Sequence, residues 1–486
     1  MELRQYIGGA WIPGSGALVN DVNPSHPSEA VAHFYSATPE DVQAAVASAA
    51  EAFPEWANTP APARGRILAR FHQQLLDHQE EYVRLMMVEQ GKTRPEAEGE
   101  FQKGVNLVEF FAGEGFRLNG ETIPSEVART MTYTLRVPLG VVAVITPWNF
   151  PFAIPLWKIS PALVAGNTVV FKPATYTPWI GVRIVEDLLE AGLPPRAISL
   201  ILGAGGEAGE ALVSDRRIRA LSFTGSNAVG ARLQQLLVGR SVKVTMEMGG
   251  KNAVVVAPSA DLDLAAQGVV QGAFGAAGQR CTATSRVLVH EAILAEFTQR
   301  LSVRTRALAV GPSERDGITV GPLISEEQLK RCLEYVQDAV HRGAAVIVGG
   351  DRGPEPGFFM QPTILDRVTD SMPVASEEIF GPVLALMPYR TLDEAIRRTN
   401  HVPYGLSASI YTRDLAESHQ FIHGVDVGMV HVNNPTIGGE AQLPFGGVKA
   451  SGLGPREMGH EGTLFFTEVK TVFMDYSGTP RIGNFY

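Results

Sequence analysis

The sequence predicts an α/β protein with two doubly wound parallel-sheet domains and a small additional β element. Three observations carry this. Short, continuously apolar, β-branched runs recur between residues 140 and 257, the pattern of strands buried on both faces. Amphipathic helical stretches separate them, and strand–helix alternation builds parallel sheets. A second alternating set follows from residue 265 to about 430. The chain has 486 residues, 45% hydrophobic and 19% charged, enough for more than one core and too apolar for disorder.

Taken in order, MELRQYIGGAWIPGSG reads as a short hairpin about Gly8–Gly9; without an apolar h-region or an Ala-x-Ala site it is not a signal peptide. Thr38 is a plausible N-cap, with Pro39 at N1 and Val42, Ala45, Val46 and Ala49 at helical spacing. A second helical stretch carries Ile67, Leu68, Phe71 and Leu75, and Gly91 closes the region as a C-cap. Thr130–Leu135 alternates like an exposed strand. Buried strands are predicted over 140–145, 167–172, 197–202, 220–225, 242–248 and 252–257, then over 285–290, 344–350, 383–389 and 408–412. Helices are predicted over 177–192, 206–220 and 325–344. A last strand, 465–474, has no core of its own, and a subunit partner is one way to cover its edge.

The balance of 41 basic and 51 acidic residues, net −10, argues against a nucleic-acid or anionic-membrane partner. No run approaches the roughly 18 apolar residues of a spanning helix. Two cysteines cannot form a disulfide framework and suit a reducing, cytoplasmic setting. The 11 histidines are scattered, so no metal site is expected, and there is no G-x-S-x-G elbow or Walker lysine.

Chemistry concentrates at strand ends. Cys281 lies in GAFGAAGQRCTATSR, where small residues allow close approach of a ligand; a neighbouring cation or helix N-terminus there would lower its thiol pKa. Cys332 instead shares a helical stripe with Leu329, Leu333 and Val336 and reads as buried and inert. Glu247, between methionines at a strand end, is either a base of raised pKa or a solvated turn carboxylate. Asn149, in ITPWNFP, can donate to an oxyanion or serve the turn; Lys172, in FKPATYTP, can meet a phosphate or ribose, or water. Gly203, Gly205, Gly206 and Gly209 follow a strand but depart from G-x-G-x-x-G, and FTGS (223–226) opens a second phosphate-binding helix start.

In order, PWNFP, FKPA, FTGS, E-x-GGKN, GQRC, EEIFGP (377–382) and PFGGVKASGLG (444–454) resemble the NAD(P)-dependent aldehyde dehydrogenase superfamily over essentially the whole chain. The resemblance implies Cys281 as nucleophile, Glu247 as general base and Asn149 as oxyanion donor. Around the cofactor it implies Ile145, Thr146, Pro147, Trp148, Lys172, Thr175, Gly205, Gly209, Phe223, Gly225, Ser226, Met248 and Gly249, with Glu378 and Phe380 gripping the nicotinamide ribose and ring. It also implies a cofactor domain (1–115 and 136–246), a catalytic domain (247–457), and an oligomerisation element (116–135 and 458–486) serving a homodimer or homotetramer.

The implied reaction is oxidation of an aldehyde through a thiohemiacetal and a thioester that Glu247 hydrolyses. A coenzyme A-acylating relative would lack that base, and a non-catalytic relative would have lost part of the set. Thr175 stands where NAD-preferring members carry a glutamate, so NADP or dual use is expected. Met246 and Met248 replace the usual leucines at nearly conserved volume. GETIPS, NFPFAIPLWKISPAL and GQRCTATSR are similar to members acting on ω-oxo acids such as 2,5-dioxopentanoate. Arg280 is either a grip on the distal carboxylate or a solvent-facing residue. Phe152, Trp157 and Phe445 are candidates for the tunnel wall.

Overall fold

The helices begin as the sequence directs. In the computed structural model, which describes residues 1–354 and 356–480, Thr38 caps helix Pro39–Asn58 in a reciprocal capping box with Asp41. Gly8 and Gly9, at φ 67° and 88°, turn Gln5–Ile7 back on Ala10–Ile12 as an antiparallel hairpin. A second hairpin, Leu18–Asn23 with His26–Tyr35, was not foreseen.

The first sheet has eight strands. Its parallel centre runs Lys243–Glu247, Ile218–Thr224, Val141–Ile145, Thr168–Lys172, Ile198–Leu200. Chain order therefore reverses beside Val141–Ile145, which opens a crevice at the carboxyl ends of the strands. The N-terminal hairpin extends one edge antiparallel, and Gly452–Leu453 closes the other against Met246–Glu247. The second sheet has seven strands in the order Ala345–Val348, Thr363–Asp366, Val383–Tyr389, Thr284–His290, Asn252–Val256, Ser407–Tyr411, Met429–Val432, antiparallel only at the first pair. Thr363–Asp366 and Met429–Val432 escaped the sequence reading. The helix expected over 206–220 is cut short: a π-turn at Gly205–Gly209 leads to a helix ending at Ser214, and the next strand starts at Ile218.

The two orphan strands pair with each other. Thr130–Pro138 and Thr467–Asp475 form a nine-residue antiparallel ladder, with Thr122–Ile123 on the far side. One neighbour of the C-terminal strand is thus supplied by its own chain, and among the described residues the strand remains the edge of its sheet. The proposed segment boundaries also shift, since the first strand runs to Pro138 and Gly452–Leu453 joins the first sheet. Met458, Phe465 and Phe466 are buried in the core beneath that sheet, with Phe111 and Leu156. Residues 481–486 of the expected oligomerisation element lie outside the described residues. Among the described residues no helix is long and apolar enough to cross a membrane.

Candidate active site

Glu247 ends the last parallel strand of the first sheet, and the chain passes through Met248–Lys251 straight into the second sheet at Asn252. The site lies where the two sheets face each other. Cys281 sits in the segment between helix Leu262–Phe274 and strand Thr284–His290. Its approach is bent by left-handed backbone at Ala276 (φ 52°), Ala277 (φ 53°) and Gly278 (φ 69°). Alanine resists this conformation, and Glu96 holds the loop by accepting the Ala276 N–H at 2.5 Å. Gln279 is fixed in turn: its Nε2 donates to the Ala276 and Pro322 carbonyls, and its Oε1 accepts from the Ile324 N–H.

Asn149 follows strand Val141–Ile145 and is buried. One of its Nδ2 hydrogens goes to the Gln279 carbonyl at 3.0 Å, which fixes the amide two residues from Cys281. Its own carbonyl accepts from Lys92 Nζ, itself paired with Glu100 at 2.7 Å. Glu100 Oε1 accepts the N–H groups of Phe152 and Ala153, at the start of helix Ala153–Val164. Asn252 Nδ2 donates to the Cys281 carbonyl at 2.8 Å, and a Cβ on Gly250 would come within 2.6 Å of that oxygen.

Charge works against ionisation here. Burial, with Glu378 and Glu247, pushes the Cys281 thiol up to about 12, while Lys103 and the Thr282 N–H pull the other way. The lowered thiol pKa considered from sequence is therefore reversed. Glu247 is buried and far from a solvated turn: burial and the nearby Glu457 charge raise it well above the usual carboxylate range, against Lys158 and the Gly447 N–H. That N–H donates to Glu247 Oε2 at 3.1 Å. Behind it Glu457 takes Lys158 Nζ at 2.5 Å and Trp157 Nε1 at 2.8 Å.

The crevice offers unsatisfied polar groups. Lys172 is buried, donates among the described residues only to the Pro173 carbonyl at 3.1 Å, and burial pushes its ammonium down to about 8. Thr146 Oγ1 and Thr224 Oγ1 are buried without a partner among the described residues. Gly209 packs against the side chains of Ile145 and Lys172, Gly205 has open space before it, and Thr175 Oγ1 donates to the Gly203 carbonyl at 3.1 Å. Ser226 caps helix Asn227–Leu237. Phe223 fills the space over Gly225, and Met248 that over Gly230.

Across the crevice Glu378 accepts the Gly250 N–H at 2.9 Å, and burial lifts it to about 7; a Cβ on Gly249 would meet it at 2.1 Å. Phe380, left-handed at φ 59°, meets Trp148 edge-on at 5.4 Å, just past Pro147.

A dinucleotide needs small residues at its phosphates, a cation and hydroxyls for its sugars, and this crevice has all three. The chain is matched over residues 11–472 by the model of the aldehyde dehydrogenase family. It belongs to that family. It is 43% identical to the 2,5-dioxopentanoate dehydrogenase of Saccharolobus solfataricus, covering 97% of this chain and 99% of the relative. It is 42% identical to the alpha-ketoglutaric semialdehyde dehydrogenase of Bacillus subtilis, covering 96% and 97%. Among solved structures it superposes on an NADP-dependent enzyme of E. coli with a TM-score of 0.95 at 34% identity, covering 98% of both chains. It also superposes on Staphylococcus aureus betaine aldehyde dehydrogenase in complex with NAD+, with a TM-score of 0.96 at 32% identity, covering 99% and 96%. Aldehydes are the substrates of this aldehyde dehydrogenase, and a nicotinamide dinucleotide, NAD or NADP, is its cofactor.

Of the residues expected in the tunnel wall, Trp157 and Phe445 pack together at 5.4 Å. Phe152 does not belong with them. It is fully buried, stacked on Phe101 at 5.3 Å and tilted on Tyr82 at 4.7 Å, beneath the helix Arg94–Glu114. Phe150, two residues earlier, carries Arg280 and Lys92 over its ring. Cys332 is buried on its helix, as its stripe implied. One cluster with metal-ligand geometry, His78, Asp187 and Glu190, is preoccupied, since Arg183 and Tyr82 already hydrogen-bond both Asp187 oxygens.

Proposed function

We propose that this enzyme oxidises short ω-oxo acids, 2,5-dioxopentanoate foremost, to dicarboxylates. The observation that carries the chemistry is the convergence of Cys281, Asn149 and Glu247 where the two sheets meet. The substrate class is supported by the names of the two curated relatives.

Cys281 loses its thiol proton to water, its Sγ then attacks the aldehyde carbon, and the free Nδ2 hydrogen of Asn149, with the Cys281 N–H, holds the oxyanion. Bound nicotinamide supplies the hydride acceptor. Glu247, made a stronger base by its burial, takes in its charged form a proton from the water that releases the acid. Glu378 and Phe380 hold the nicotinamide ribose and ring, and Lys172, Thr175 and Ser226 hold the adenosine end. With no carboxylate at position 175 to repel a 2′-phosphate, NADP is used at least as well as NAD. The exposed apolar residues of the three-stranded sheet, Phe473 at 75% exposure among them, form the contact of a homodimer or homotetramer. The enzyme works in the cytoplasm, and the segments 1–115 with 139–246 and 247–451 act as its cofactor and catalytic domains.

The test is absorbance at 340 nm with succinic semialdehyde, 2,5-dioxopentanoate and butanal, with each dinucleotide, for wild type and Cys281→Ala. Reduction that prefers the ω-oxo acids and vanishes in the variant supports the reading. Activity that requires coenzyme A and yields an acyl thioester overturns it.

A further inference from the structure

Among the described residues, two cations beside Cys281 lack a hydrogen-bond or ion-pair partner. Lys103 projects from helix Arg94–Glu114, and its Nζ makes no hydrogen bond or ion pair with the described residues. It lies instead over the rings of Trp157 at 5.1 Å and Phe445 at 5.5 Å. Arg280 immediately precedes Cys281; its guanidinium rests over the Phe150 ring at 5.7 Å, and its buried Nε has no partner. The charge of each is felt at Cys281. A guanidinium offers five N–H donors, and leaving them unmatched in a part-buried site costs stability unless a ligand takes them up.

The local acids are already engaged. Glu96 accepts from the Ala276 and Thr93 N–H groups, and Glu100 holds Lys92 and the Phe152 and Ala153 N–H groups. Lys92, Lys103 and Arg280 thus stand against two carboxylates, leaving one positive charge uncompensated. Lys103 also lines an open cleft of about 760 Å³ between its helix and residues Gly439–Gln442. The exposed Glu109 and Glu440 line the same cleft, and Lys103 is the cation among its lining residues.

From this we infer that Lys103, together with Arg280, binds the distal carboxylate of an ω-oxo acid whose aldehyde carbon is at Cys281. The aromatic walls of Trp157, Phe445 and Phe150 flank the intervening carbons. Lys103 is then a specificity-determining residue: it selects aldehydes bearing one carboxylate. The inference rests on the proposed ω-oxo acid reading and adds the residue that enforces it.

The decisive quantity is the ratio of kcat/KM for succinic semialdehyde to that for butanal. Lys103 also affects the thiol, but that effect reaches both substrates and cancels in the ratio. In Lys103→Met the ratio is expected to fall about 10–100-fold, the loss carried by KM for the acid, as for a charge-assisted hydrogen bond removed. Lys103→Arg is expected to recover most of it, and Arg280→Met to lower it in the same sense. A second readout needs no turnover: succinate slows alkylation of Cys281 by iodoacetamide in wild type and loses that protection in Lys103→Met. A wild type that prefers succinic semialdehyde, with a ratio unmoved in Lys103→Met, overturns the inference and leaves the substrate reading standing. A wild type with no such preference overturns both.

Discussion

Lys158 Nζ and Glu457 Oε1 meet at 2.5 Å across 299 residues of chain, both buried behind Glu247. The pair joins helix Ala153–Val164 to the segment entering helix Gly459–Phe465, and Ser222 Oγ and Trp157 Nε1 also donate to Glu457. Its two charges act on Glu247 in opposite directions, Glu457 raising its pKa and Lys158 lowering it.

Glu457→Gln therefore shifts the pH profile. Removing the like charge while Lys158 remains lowers the Glu247 pKa, so the acid limb of kcat moves to lower pH. The same change leaves Lys158 buried and unpaired, at a cost of about 3–5 kcal/mol. A pH–rate profile beside a melting curve checks both, and a lowered Tm with an unmoved limb would refute the electrostatic part.

Glu247→Gln separates the two halves of the reaction. Attack by Cys281 does not need this carboxyl, whereas release of the acid does. The expected result is a stoichiometric burst of reduced dinucleotide followed by turnover slower by about 10²–10⁴-fold. Stopped-flow absorbance at 340 nm reads the burst, and mass spectrometry reads the trapped acyl-enzyme.

With burial and two carboxylates pushing the thiol up to about 12, Cys281 is protonated at neutral pH. Its alkylation by iodoacetamide, which requires thiolate, rises about tenfold per pH unit between roughly pH 7 and 10. A rate that levels off below pH 8 would mean that the thiolate is already formed there.

Lys172 carries the cofactor prediction. Its ammonium, pushed down to about 8 by burial, is charged below that pH and neutral above it. Attraction for a 2′-phosphate is therefore present at pH 7 and lost as pH rises through about 8. KM for NADP should climb over that interval while KM for NAD stays nearly level. Thr175→Glu should lower kcat/KM for NADP by about tenfold or more at pH 7 by placing like charges together.

The sequence made the parallel strands readable because burial on both faces leaves uninterrupted β-branched runs such as VVAVI and NAVVV. Thr363–Asp366 and Met429–Val432 lacked that signal, the former being four residues in a loop-rich stretch and the latter only half-buried. At the site, Cys281, Glu247 and Asn149 were legible because each sits beside glycines or a strand end. Lys158 carried a signal that went unused: it is the one charge in FAIPLWKISPAL, and a lone charge in so apolar a helix needs a buried partner. That partner, Glu457, is unreadable locally because the contact spans 299 residues. Lys103 was hidden differently. It shares a helix face with Gly99, Asn106 and Phe110, which looks like an ordinary solvated face until the Gly439–Gln442 segment is brought over it. Phe152 misled because it lies only two residues from Phe150 in PWNFPF, yet it is the N-cap of helix Ala153–Val164 and turns into the core.

The left-handed run at Ala276 and Ala277 sets thermal robustness against alignment at one spot. Glycine at either position would relieve about 1–2 kcal/mol of backbone strain. It would also free the stretch of chain that aims Gln279, and through its carbonyl the Asn149 amide, at the reacting carbon. Selection for a hardier protein would thus draw substitutions toward the loop on which turnover depends most, and sequences adapted to heat should keep their gains elsewhere.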